Sequence, residues 1–256
     1  MTSIPRNMIW MTLVLAVGLV AAGCAGTGET DRDAEEAAMS HLQLGIHHMR
    51  NGDLQEAKNH LERSLEHDSN QAMTHASIAL LYEQLDEQRT ARRHYRRALR
   101  IDGDDPALRN NYGTFLCRSG EHEEAVEEFV TAAENRLYQT PEVAWNNAGT
   151  CMQQAGEYER ARDYFRKAAD ADHEYAEPLW HLARLAHDEG EFLQARGFFQ
   201  RMEERADLGA AALLLGVKIE DSLGDRDAAE EYAARLREEY ADAEEVRELS
   251  ELGYDR

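Results

Sequence analysis

Lysine is nearly missing from this sequence. Only Lys58, Lys167 and Lys218 occur, so almost all positive charge is arginine. Against 28 Lys and Arg stand 50 Asp and Glu, a formal charge of −22. A protein that grips phosphates needs a basic face, so this balance argues against nucleic-acid binding. It argues equally against electrostatic docking on anionic lipid. The acidic, lysine-poor surface fits a salt-loving source, where carboxylates keep a protein hydrated, and fits a bias of base composition equally well. Proline is scarce, with 4 in 256 residues, while Ala, Arg and Glu abound, which favours helix over an all-β fold. Catalytic signatures are also lacking: there is no nucleophile elbow, P-loop, zinc pair or Rossmann glycine pattern. Carboxylate runs such as Glu123-Glu124 and Glu127-Glu128 read as solvated helix faces. The 11 histidines are scattered, and neither His47-His48 nor His181 and His187 have the i, i+4 spacing of a helical metal site. No enzyme, cofactor, metal or small-molecule substrate is therefore expected.

What is present begins with an address. Arg6 precedes an apolar run, Met8 to Val20, interrupted only by Thr12 and ending in Ala21-Ala22-Gly23-Cys24. The run is too short to cross a bilayer, which takes about 20 apolar residues, and reads as a secretory signal over residues 1–23. Small residues before a cysteine resemble a bacterial lipobox, although Ala21 stands where Leu is usual. Cleavage would leave Cys24 lipidated, giving a stable membrane anchor. By the same resemblance, Ala25 in place of Asp directs the lipoprotein to the outer membrane, periplasmic face. Residues 24–37 read as the lipidated Cys and a short polar tether.

The rest repeats. Leu44-Gly45, Ala57 and Leu61 recur 34 residues later as Ile78-Ala79, Ala91 and Tyr95, and again as Tyr112-Gly113, Ala125 and Phe129. A step of 36 gives Ala148-Gly149, Ala161 and Phe165. Two further steps give Leu182-Ala183, Ala195 and Phe199, then Leu215-Gly216, Ala228 and Tyr232. This is the tetratricopeptide pattern: large-small at positions 7 and 8, small at 20, aromatic at 24. The small residue at 8 lets helix A lie close to helix B, and the aromatic at 24 is expected to fill the space between one unit and the next. Turns at Gly52, Gly120, Gly156 and Gly190 end the first helices. The fold expected is an all-α superhelix of six helix-turn-helix units over 38–242: 38–71, 72–105, 106–139, 142–175, 176–208 and 209–242. Thr140-Pro141 lengthens one connection. Residues 243–256, with Val246, Leu249 and Leu252 at helical spacing, read as a capping helix or a frayed end. Cys117 and Cys151 sit mid-helix in different units and read as two buried thiols, a disulfide being the alternative.

In this architecture the A helices line a concave groove through positions 2, 5, 9 and 12. Those positions are apolar at the N-terminal end and polar in the middle. The candidate partner-binding residues are Met39, Leu42, Ile46, Met49, Met73, Leu80, Asn110 and Asn146. An apolar, methionine-bearing stripe suits the apolar face of a partner helix. It would alternatively be covered by Ala34–Ala38, by the tether, or in a dimer. A clamp for an acidic C-terminus is disfavoured: Asn111 and Asn147 match its asparagines, but Ala76, Leu80 and Glu177 stand where charge or amide is needed.

Two stretches go beyond generic repeats: Leu108 to Cys117 (LRNNYGTFLC) and Tyr138 to Cys151 (YQTPEVAWNNAGTC). With the lipobox and six repeats, they resemble the type IV pilus biogenesis/stability lipoproteins, the PilF/PilW-type pilotins. Thr114 departs from the bulkier Trp expected there. The resemblance implies an anchored protein that binds the pilus secretin subunit and promotes its outer-membrane targeting and multimer assembly. The other reading is a repeat scaffold for different cell-envelope machinery. Replacing Cys24 by Ser is expected to move the protein out of the membrane fraction, which fractionation and immunoblotting would register.

Overall fold

The computed structural model describes residues 27–254. The apolar leader and Cys24 lie outside the described residues. Every regular element among the described residues is an α-helix, the class the repeat pattern calls for. The chain divides into two compact units, residues 1–101 and 102–256.

The first unit contains α1 (Thr27–Asn51), α2 (Leu54–His67), α3 (Ala72–Gln84) and α4 (Gln88–Ile101). Helix α1 begins at Thr27, so most of the segment expected as a tether is helical. Ala34, Glu35, Glu36, Ala37 and Ala38 are strong helix formers, and nothing breaks the run after Gly28. Helices pair as α1 with α2 and α3 with α4, and α3 packs back on α2 and α1. Leu42, Ala57, Leu61, Ile78 and Leu81 form the core, with Ile46 and Met49 packed against it. A Cβ on Gly45 would stand 2.6 Å from Leu61 Cγ, so only glycine admits this approach. Ser64 ties three helices together. Its hydroxyl donates to the Ala38 carbonyl (2.8 Å) and lies 2.9 Å from the Thr74 hydroxyl. The α3–α4 turn places Asp86 at φ 58°, where the equivalent turns use glycine.

The second unit contains α5 (Pro106–Arg118), α6 (His122–Ala133), α7 (Pro141–Gln154), α8 (Tyr158–Ala171), α9 (Glu177–Asp188), α10 (Phe192–Glu203), α11 (Ala210–Leu223), α12 (Arg226–Glu239) and α13 (Glu244–Glu251). Asp105 caps α5, accepting from the Ala107 and Leu108 amides, and Pro106 opens the helix where no amide is needed. Consecutive helices pack as antiparallel pairs. The aromatic at position 24 meets its own repeat's glycine: a Cβ on Gly149 would fall 2.6 Å from Phe165, and one on Gly113 2.8 Å from Phe129. The ring therefore packs within its own repeat as well as toward the next. Gly216 faces both kinds of ring, Phe199 of the preceding repeat and Tyr232 of its own. Phe129, Phe165 and Phe199 are fully buried, each contributing about 1.5–3 kcal/mol. Helix α13 packs on α11 and α12, and beyond it Tyr254 is buried, its hydroxyl donating to Asp221 (2.6 Å).

Cys117 and Cys151 are joined in a disulfide, their Cα atoms 5.7 Å apart. This overturns the reading of two buried thiols. The two cysteines stand at different positions of their repeats. Cys117 is four residues beyond the helix-A glycine of its repeat, Cys151 only two beyond its own. Their Cα separation lies within the range a bridge requires.

Two outcomes are expected in urea denaturation. Gly149→Ala should cost about 1–3 kcal/mol, because Phe165 cannot yield to a new methyl. Replacing both Cys117 and Cys151 by Ala should cost about 3–4 kcal/mol, the loop-closure value for a separation of this size, and adding reductant to the native protein should lower the midpoint similarly.

Candidate functional site

The first unit offers an apolar face. Met73 is 58% exposed, Met39 40% and Leu80 37%, all on the A helices α1 and α3. Leu42 is not part of that face. It is 1% exposed and packed among Ala57, Leu61, Ile78 and Leu81, because its turn of α1 faces the seam with α2 and α3. Ile46 and Met49 are partly buried against the same cluster. Only Met39, Met73 and Leu80 of the six apolar candidates thus stand free for a partner.

In the second unit the two asparagine candidates are also internal. Asn110 is buried and its Oδ1 accepts from Asn147 Nδ2 at 2.9 Å, pinning α5 to α7. Asn146 is 3% exposed, and its Oδ1 has no hydrogen-bond partner. Thr114, on the same helix face, bonds back to the Asn110 carbonyl at 3.0 Å.

The open part of this unit lies further along. A cavity of about 700 Å³ is lined by Thr150 and Gln153 of α7, Tyr158 of α8, and Trp180, Arg184 and Asp188 of α9. A second hollow of about 300 Å³ shares Trp180, Arg184 and Asp188 and reaches Leu214 and Lys218 of α11 and Glu245 and Glu248 of α13. Arg184 lies 4.5 Å over the Trp180 ring, a cation–π contact that holds both side chains at the shared wall. Lys218 pairs with Glu248 at 2.7 Å at the far end. The arrangement combines an aromatic surface with guanidinium donors, which suits a peptide carrying an apolar side chain beside a carbonyl or carboxylate. Thr150, Gln153, Trp180 and Arg184 occupy groove positions of repeats four and five. The register therefore contained them, and the signal that would have singled them out is Trp180, the bulkiest ring among all the groove positions.

Comparison with known proteins agrees with the repeat register. A tetratricopeptide repeat family model matches residues 35–103 and 104–172, and a second, also described as tetratricopeptide repeat, matches 149–211. The type IV pilus assembly protein PilF of Pseudomonas aeruginosa is 30% identical over 244 residues, covering 93% of this chain and 96% of the relative. The solved structure of Pseudomonas aeruginosa PilF has a TM-score of 0.72 at 28% identity, covering 85% of this chain and 98% of that one. That of PilW, described as a widely conserved type IV pilus biogenesis factor, has a TM-score of 0.71 at 30% identity, covering 83% and 97%.

The cavity wall also carries a titrating group. His181 is buried, stacked on Phe165 with ring centroids 4.4 Å apart, and its Nδ1 has no hydrogen-bond partner. Burial, helped by the Arg184 charge, pushes its pKa from the ordinary 6.5 down to about 4. As pH falls the unfolded chain binds a proton on this ring first, so stability contributed by the neutral ring is lost progressively between about 6.5 and about 4. His181→Phe keeps the stack and removes the proton site. The variant is expected to lose less stability than the wild type between pH 7 and pH 4.5, read from urea midpoints at each pH.

Proposed function

Since the chain belongs to the tetratricopeptide-repeat family and to its PilF/PilW-type branch of type IV pilus biogenesis proteins, we propose that it is an outer-membrane pilotin. In this reading it binds a subunit of the type IV pilus secretin and promotes the subunit's targeting to the outer membrane and its assembly into the multimer. The observation that carries the reading is the end-to-end match to a type IV pilus assembly protein, which spans 93% of the chain. The lipobox at Ala21 to Cys24 supports the anchoring half. A lipid anchor on one membrane raises the local concentration of whatever the repeats hold, which favours ring closure without any catalytic step.

The exposed Met39, Met73 and Leu80 are the contact surface we assign to the partner. Methionine adapts to an apolar helix face, and this patch sits on the A helices, the side on which repeats of this family present their binding residues. Met73→Asp with Leu80→Asp should weaken secretin binding at least tenfold with helical content unchanged. Leu42→Asp, by contrast, would report on folding, since that side chain is core. Binding that survives the double variant and falls with Trp180→Ala would move the contact to the cavity of the second unit.

The decisive experiment is made in cells. The gene is deleted, inner and outer membranes are separated, and the pilus secretin is followed by its membrane and its multimeric state. Mislocalised or monomeric secretin, rescued by the wild-type gene, is the expected result. Normal secretin rings in the deletion would refute the pilotin reading and leave a scaffold for other envelope machinery.

A further inference from the structure

Two pairs of histidines face each other across the helix hairpins of the first unit. His41 on α1 meets His60 on α2, with Nδ1 atoms 3.0 Å apart. His75 on α3 meets His94 on α4, with Nδ1 atoms 3.1 Å apart. Each pair is separated by 19 residues, and the pairs are 34 apart, so they fill the same two positions of consecutive repeats. The same positions in the next two repeats hold pairs that complement each other on their own. Arg109 bonds Glu128 at 2.7 Å, and Trp145 stacks on Tyr164. Two histidines are a different solution. Each ring brings the same donor and acceptor, and both cannot be protonated at this distance without repulsion.

We propose that the first two repeats each bind one divalent transition-metal ion of the zinc, nickel or copper class between their facing histidine Nδ1 atoms. Two nitrogens that ligate one ion at about 2.0–2.1 Å, with bond angles from square to tetrahedral, stand about 2.8–3.4 Å apart. Both pairs already have that spacing. The second shell of the His75–His94 pair is also in place. His75 Nε2 lies 3.3 Å from the Ser69 carbonyl, which can only accept, so the proton of neutral His75 sits on Nε2 and its Nδ1 lone pair faces His94. Without metal, His94 Nδ1–H donates to that lone pair. With metal, His94 carries its proton on Nε2 and offers Nδ1 as the second ligand, with no net proton released.

The surroundings keep the rings ready. Burial lowers the affinity of His75 and His41 for protons and pushes His94 down to about 4, so these rings are neutral ligands at neutral pH. The groups facing the pairs include Arg93, Arg97 and Arg100 around His75 and His94, and Arg63, Glu66 and His67 around His41. His67 stacks on His41 and His48 on His60, which holds the first pair's ring planes. An open hollow beside His60, lined by Glu56, Glu62 and Glu66 among others, gives a hydrated cation a way in. Imidazole nitrogen selects the borderline transition ions over magnesium and calcium.

The test uses the full mature chain without a polyhistidine tag and without reductant, so that Cys117 and Cys151 remain bridged. Calorimetric titration with Zn²⁺ at pH 7.5 should give two equivalents per chain, unaffected by millimolar Ca²⁺. His60→Gln and His94→Gln should each leave one equivalent, and the double variant should lose both or bind at least tenfold more weakly, with circular dichroism unchanged. Electron paramagnetic resonance of the wild type loaded with Cu²⁺ should show imidazole nitrogens on each ion, a readout that needs no variant. The proposal fails if Zn²⁺ does not bind, if Ca²⁺ displaces it, if the double variant keeps two equivalents, or if the copper spectrum shows oxygen ligands alone.

Discussion

The closeness of helix A to helix B in each repeat is the constraint on which the rest depends. At Gly113 and Gly149 the backbone of the first helix lies directly against a phenylalanine ring of the second, leaving no room for even one methyl group. Gly45 does the same with Leu61. A helix hairpin this tight has its own small core, and the remaining faces of its helices are free to meet the next hairpin or solvent. Within each unit the hairpins therefore form a series of nearest-neighbour contacts, which is how repeat proteins distribute their stability. The A-helix faces left over stay exposed at Met39, Met73 and Leu80, while the seams take Leu42, Asn110 and Asn146 inside.

What sits on those faces differs between the two units. The first carries exposed methionine and leucine, a surface that adapts to whatever apolar face it meets. The second holds a tryptophan and an arginine fixed against one another over a cavity, a more directional arrangement. A single chain thereby offers two chemically distinct surfaces.

The register was legible from residue pattern alone because close packing restricts position 8 to small residues and position 24 to large ones. Groove positions followed from that register, Trp180 and Arg184 included. Burial did not follow as well. Position 5 in the first repeat falls on the seam, and periodicity does not separate a seam leucine from a groove leucine. The disulfide is hidden because the two cysteines, 34 residues apart, fall at different positions of their repeats once the inserted Thr140-Pro141 is counted. The histidine pairs are hidden in the sequence for a related reason. A spacing of 19 is meaningless along one helix and becomes contact only when the hairpin folds the chain back on itself. The start of α1 is obscured because its run is polar like a tether, although alanine and glutamate make it a good helix.

The bridge between α5 and α7 has a mechanical consequence. Within the second unit, hairpins pulled apart under tension unravel one by one, since each is held only by its neighbours. When unravelling reaches Cys117 and Cys151, the covalent link carries the load and the segment between them, α6 included, cannot be drawn out. The bridge thus creates a stretch of chain that tension on the termini does not extend.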